Sequence, residues 1–223
     1  MNQIEALRRL RQLGTPVFET RDASALLAVT PANASVILRR LADQKFITPL
    51  SRGRWLMGTS LPRFALPELI AAPYPAYVSM QSALFYRGLI EQVPAVIYAA
   101  TLGKPRRVST PLGTISFHRL PAELFLGYEV EADGSKIATA EKALFDTLYL
   151  APARSRLFAR LPELEIPREF RWQDVHDFAA LVKFARRRVH IERRIEELER
   201  NRVSRTGARR RRGSSISARS RVS

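Results

Sequence analysis

Apolar residues recur at helical spacing at the start of the chain and again after residue 30. Ile4, Leu7 and Leu10 stand three apart and predict a helix over 4–13, ended by Gly14. Ala23, Ala25, Leu26 and Leu27 predict a short second helix that stops at Ala28-Val29. Thr30-Pro31 opens a third. Threonine is a good N-cap, and proline at the first helical position gives up an N–H that would have no helical partner. Ala34, Ile37, Leu38 and Leu41 then follow at i, i+3, i+4 and i+7 as one apolar stripe. Phe46–Leu50 predicts a strand, Ser51-Arg52-Gly53-Arg54 a turn with glycine at positive φ, and Trp55–Met57 the returning strand. Trp55 is expected to tie this hairpin to the helices. Over 1–60 the pattern predicts a winged helix-turn-helix, whose second helix enters a DNA major groove.

The pattern then changes. Pro62, Pro67, Pro73 and Pro75 punctuate 61–75, which reads as a linker, although Phe64-Ala65-Leu66 and Leu69-Ile70 have the character of docking residues. A mixed domain follows over 76–201. Ser79 is expected to cap a helix, Met80–Arg87, ended by Gly88. Strands are expected at Val96–Thr101, Arg106–Thr110, Gly113–Arg119, Tyr128–Glu131 and Ser135–Ala138. Ala140–Leu150 carries Ala140, Ala143, Leu144, Thr147 and Leu148 on one side of a helix. Trp172–Asn201 is helical, with one stripe through Val175, Phe178, Ala179, Val182 and Ala185 and another through Ile191, Ile195 and Leu198. The expected fold class is therefore α+β: an N-terminal winged helix-turn-helix, a mixed α+β domain, C-terminal helices and a tail. From 202 to 223 the composition is Arg, Ser and Gly with almost no large apolar residue, and disorder is expected.

Charge changes the picture more than length does. The net charge of +16 is unevenly placed over the 223 residues. Residues 1–60 hold nine Lys/Arg against four Asp/Glu, 61–200 hold twenty against seventeen, and 201–223 hold eight against none. Such excess basicity favours a polyanionic partner through counterion release. The balanced middle has no such need. Arg209–Arg212 reads either as a non-specific DNA arm or as an unselected basic tail. There is no cysteine, so disulfides are excluded. No apolar run approaches the ~18 residues of a membrane span, and Arg8, Arg9 and Arg11 interrupt any signal-peptide core. A cytoplasmic protein without a membrane partner is expected.

Turning the third helix by about 100° per residue puts Ala32, Val36, Arg39 and Asp43 opposite its apolar stripe, flanked by Asn33, Ser35 and Arg40. Asparagine pairs with adenine, arginine with guanine or phosphate, and small apolar groups touch thymine methyls. The expected DNA-contacting set is Thr30, Ala32, Asn33, Ser35, Val36, Arg39 and Arg40 on the helix, with Arg52 and Arg54 on the wing. Asn33 and Val36 are expected to read bases, and Arg40 to hold a phosphate. A wing and helix this basic favour DNA over the alternative of a winged-helix protein-interaction module.

Catalytic chemistry finds little footing. The three histidines, His118, His176 and His190, lack metal-ligand spacing, and no nucleophile elbow or phosphate-cradling glycine loop occurs. A metal-dependent nuclease pair needs one residue between acid and lysine and an upstream metal-binding Asp, whereas Glu141 and Lys142 are adjacent and expected on a helix. No enzyme activity, cofactor or metal is expected. Lys142–Asp146 at i, i+4 reads as a local salt bridge of the exposed kind, which contributes little to stability. Together with Glu141 it forms a candidate functional surface of the second domain.

Two segments carry a recognisable pattern: YVSMQSALFYRGLIEQVP, 77–94, and IATAEKALFDTLYL, 137–150. Behind an N-terminal winged helix they resemble the AbiEi family of antitoxins and transcriptional regulators from bacterial type IV toxin–antitoxin systems. The resemblance runs from about Ile4 to Leu150, with a looser helical continuation to Asn201, and leaves out the Arg-rich tail. It implies a protein that binds inverted repeats in its own promoter and represses the operon; docking of two N-terminal domains on such a repeat leaves room for self-association on DNA. It further implies a second domain needed for antitoxicity against a nucleotidyltransferase-type toxin, without a stable complex between the two. Glu141, Lys142 and Asp146 would then mark an antitoxin-domain surface.

Overall fold

Asn2 starts the first helix by accepting the Glu5 N–H on its side-chain oxygen at 2.8 Å. In this computed structural model, which describes residues 2–152, 158 and 161–219, with backbone alone from 203 on, helix α1 spans Gln3–Leu10. A 3₁₀ turn, Arg11–Leu13, follows and ends at Gly14 with φ +67°. A short strand β1, Val17–Glu19, precedes α2, Thr20–Leu27. The reciprocal bonding of Glu19 and Asp22 starts α2, and Ala28 in the left-handed region ends it. Thr30 accepts the Asn33 N–H and Pro31 leads α3, Pro31–Asp43. Strands β2, Ile47–Ser51, and β3, Arg54–Met57, complete an antiparallel sheet of order β1-β3-β2. Ala6, Leu10, Phe18, Ala23, Leu27, Leu38, Leu41, Ile47 and Trp55 share one core. The strand β1 is not marked in the sequence, because three residues are too few to show a period of two.

The segment read as a linker contains α4, Leu66–Ala71, with Leu66, Pro67, Ile70 and Ala71 buried. Pro67 lies at the start of this helix, where proline is tolerated, so its presence did not exclude one. A six-stranded sheet of order β6-β7-β5-β4-β9-β8 follows from β4 (Ala76–Val78), β5 (Ile97–Thr101), β6 (Arg106–Thr110), β7 (Gly113–Arg119), β8 (Tyr128–Val130) and β9 (Lys136–Ala138). It is mixed: β5–β7 and β4–β9 are parallel, β4–β5 and β6–β7 antiparallel. The remaining helices are α5 (Met80–Tyr86), α6 (Ala140–Leu150), α7 (Trp172–Ala180) and α8 (Ala185–Arg219). The α+β class expected from the sequence holds at this level.

The chain divides into two compact units. One comprises Met1–Val78, Pro94–Leu120 and Glu129–Ile137, and so joins the N-terminal helices to most of the six-stranded sheet. The other comprises Ser79–Val93, Pro121–Tyr128 and Ala138–Ser223. In the second unit α6 is packed by α5, α7 and α8, and every residue of Glu141–Tyr149 is buried. The disorder expected from 202 on differs from the backbone found over 202–219, which continues α8 as helix. No proline interrupts 203–219, and alanine and arginine are good helix formers. Residues 220–223 of that expectation lie outside the described residues. Among the described residues no helix is long and apolar enough to cross a membrane.

Candidate nucleic-acid interface

Burial of Ala34, Leu38 and Leu41 fixes which side of α3 faces outward. Ala32, Asn33, Val36, Arg39 and Arg40 are exposed, as the helical spacing requires, and Val36 keeps 44% of its surface in contact with solvent despite being apolar. Thr30 is exposed with its hydroxyl oxygen engaged as the cap of α3. Ser35 is half-buried, and its hydroxyl donates back to the Pro31 carbonyl at 2.9 Å. Its oxygen is left to accept. Arg39 and Arg40 are exposed, and their guanidinium groups have no hydrogen-bond or ion-pair partner among the described residues.

The β2–β3 turn is built onto α2. Gly53, with φ +73°, accepts the Thr20 N–H at 2.9 Å on its carbonyl. The Trp55 indole N–H donates to the Thr20 hydroxyl at 2.9 Å while the ring is buried, which makes Trp55 the expected packing residue. Arg52 stands exposed at the tip. Arg54 does not behave as expected. Its guanidinium donates to the Ile70 carbonyl and, at 3.0 Å, to the Ala72 carbonyl, and pairs with Glu19 at 3.2 Å. Only 20% of its side chain is exposed, so it serves as an internal tie rather than a free phosphate contact. Spacing alone gave no sign of this, because its acceptors lie on α4, on the residue after it and on β1.

The second set, Glu141, Lys142 and Asp146, is not a surface. The Lys142 and Asp146 side chains are fully buried and form an ion pair. Ser79, placed as the expected helix cap, gives its hydroxyl proton to Asp146 Oδ2 at 2.7 Å instead of capping α5. The Lys142 ammonium lies 4.9 Å from the Phe145 ring centroid and 5.5 Å from that of Phe178. Glu141 accepts the Arg171 N–H at 3.1 Å. Burial pushes the Lys142 pKa down, and the Asp146 charge opposes that push. The polar face suggested by the sequence is thus enclosed by the neighbouring helices of its own unit. A side chain at Gly127 has no room either: a Cβ there would sit 2.8 Å from Phe178 Cζ and 3.0 Å from Lys142 Cγ.

His118 lies half-buried on β7. Burial holds its pKa down at about 4, and Ser116 Oγ lies 3.0 Å from its Nε2. Among the described residues no group of three or more His, Asp or Glu is gathered as a metal site. No protein-family model matches the chain, and no curated protein is significantly similar to it.

Proposed function

We propose that the protein is a sequence-specific DNA-binding repressor in which residues 1–60 act as a winged helix-turn-helix, α3 reading bases and the β2–β3 turn holding phosphate. The observation that carries this reading is the outward face of α3, where Asn33, Val36, Arg39 and Arg40 lie exposed beside unspent guanidinium donors. Arg52 at the hairpin tip adds a backbone contact. Two copies would occupy successive major grooves of an inverted repeat and occlude the promoter. The antitoxin role rests on the AbiEi resemblance alone. In that reading the chain counteracts a nucleotidyltransferase-type toxin encoded beside it, and is cytoplasmic.

A titration against the chain's own upstream promoter DNA, with a scrambled duplex as control and salt varied, tests the DNA reading. Tight and selective binding is expected. Weak binding that is equal on both duplexes and lost in modest salt would leave charge as its only cause. The N-terminal segment would then be better read as a protein-interaction module. Co-expression with the neighbouring toxin gene tests the antitoxin role separately: failure to restore growth would remove that part and leave the repressor.

A further inference from the structure

A cavity of about 250 Å³ opens beside the β2–β3 turn, within the first unit. Ser51, Arg54, Ile70, Tyr74, Arg106 and Val108 are among the residues that line it, and none of its lining residues is acidic. Two guanidinium groups converge there. Arg54 and Arg106 both donate to the single carbonyl of Ile70, Arg106 at 2.9 Å. One carboxylate, Glu19, pairs with Arg54 from outside the cavity wall. The second cation is left without a counter-charge among the described residues.

The Arg106 guanidinium carbon also lies over the Phe117 ring, 5.2 Å from its centroid, a cation–π contact. Most of its N–H donors have no acceptor among the described residues, and the Ser51 hydroxyl, which also lines the cavity, adds a further donor. Two like charges held on one carbonyl repel each other, and an anion between them removes that cost. A planar guanidinium matches the oxygens of a tetrahedral oxyanion two at a time.

We propose that this cavity is a phosphate-binding site, with Arg106 as its principal ligand and Ser51 as a second donor. Two sources share that chemistry: a backbone phosphate of duplex DNA running past the β2–β3 turn, and a free phosphate or mononucleotide. The first source rests on the DNA-binding reading above; the second does not.

The test uses the full chain and Arg106→Gln, which keeps the bulk of the side chain and removes its charge. Arg106 is exposed on an edge strand, and a thermal melt checks that the variant folds. Ser51→Ala serves as a second, milder variant. In one arm inorganic phosphate and adenosine monophosphate are titrated by calorimetry. In the other, a duplex is titrated across a salt series. Saturable phosphate binding that weakens at least tenfold in Arg106→Gln and a few-fold in Ser51→Ala supports the site with a free phosphate as its source. A salt slope lower by about 0.9 in Arg106→Gln, on any duplex, supports it with DNA as the source. Wild type and both variants indistinguishable in both arms, or no binding in either, would overturn it. A wild type that shows no preference for its promoter but binds phosphate through Arg106 would remove the repressor reading and keep this one.

Discussion

Lys142 and Asp146 have each been taken out of water with the other as counter-charge. Taking both charges out of water costs several kcal/mol, so the pair is not itself a large source of stability. Breaking it is another matter. Asp146→Ala would leave a buried ammonium between two aromatic rings and deprive the Ser79 hydroxyl of its acceptor. A loss of about 3–5 kcal/mol is expected, read as a shift in urea midpoint at constant slope. The double variant Lys142→Met/Asp146→Leu should recover most of that loss, since an apolar pair of similar volume carries no desolvation cost. A double variant no more stable than Asp146→Ala would show that the pair does more than balance its own charges. His118 offers a pH test in the first unit. Its folded pKa of about 4 lies below the ordinary value of 6.5. Above pH 6.5 the ring is neutral in both states. As pH falls from 6.5 towards 4 the unfolded chain takes up the proton first, so stability drops across that window. His118→Gln should lose less stability between pH 7 and pH 4.5 than the wild type. An equal loss would place the acid sensitivity elsewhere.

Among the elements, α3 was the most legible, because three independent local signals agree: the Thr30 cap, Pro31 at the first turn and the stripe of Ala34, Leu38 and Leu41. The hairpin was legible from Gly53 and the apolar residues flanking it, and the strands of the mixed sheet fall close to where turn residues placed them. What was hidden depends on contacts distant in sequence. β1 is too short for a pattern, and the prolines around α4 mask a helix held by burial of Leu66 and Ile70. The same division runs through the candidate site. Arg39 and Arg54 look alike in sequence, yet one is exposed and the other is tied to Ile70, Ala72 and Glu19. Paired substitutions should separate them. Arg39→Ala is expected to weaken binding to the promoter by about 1–3 kcal/mol and to leave the unfolding midpoint unchanged. Arg54→Ala is expected to lower stability by about 1–3 kcal/mol, through the Ala72 carbonyl that loses its donor and the Glu19 carboxylate that loses a partner. It should change the ratio of promoter to scrambled affinity less than Arg39→Ala does, because Arg54 does not stand on the outward face of α3. Equal promoter affinity of Arg39→Ala and wild type would remove Arg39 from the reading face.

For the whole molecule the decisive quantity is where the positive charge sits. Half of the net +16 belongs to 201–223, which holds eight arginines and no acid, whereas 61–200 is nearly balanced. A helical backbone through Arg219 spaces seven of these arginines along one helix at 1.5 Å per residue. Charge carried in this way neutralises phosphate without distinguishing one base pair from another, because backbone contacts fix position and carry no sequence information. The outward face of α3 would supply the discrimination. The two contributions are therefore separable by truncation. Removing 203–223 should weaken binding to promoter and scrambled duplex by the same factor. The salt slope should fall by about 0.9 for each phosphate the segment neutralises, and the ratio of the two affinities should stay unchanged. An unchanged slope would show that the segment does not lie on DNA, and its charge would need another polyanion to explain it. A reduced ratio would show instead that this segment helps set the register of α3 on its site, so that affinity and specificity are not divided between the two ends of the chain.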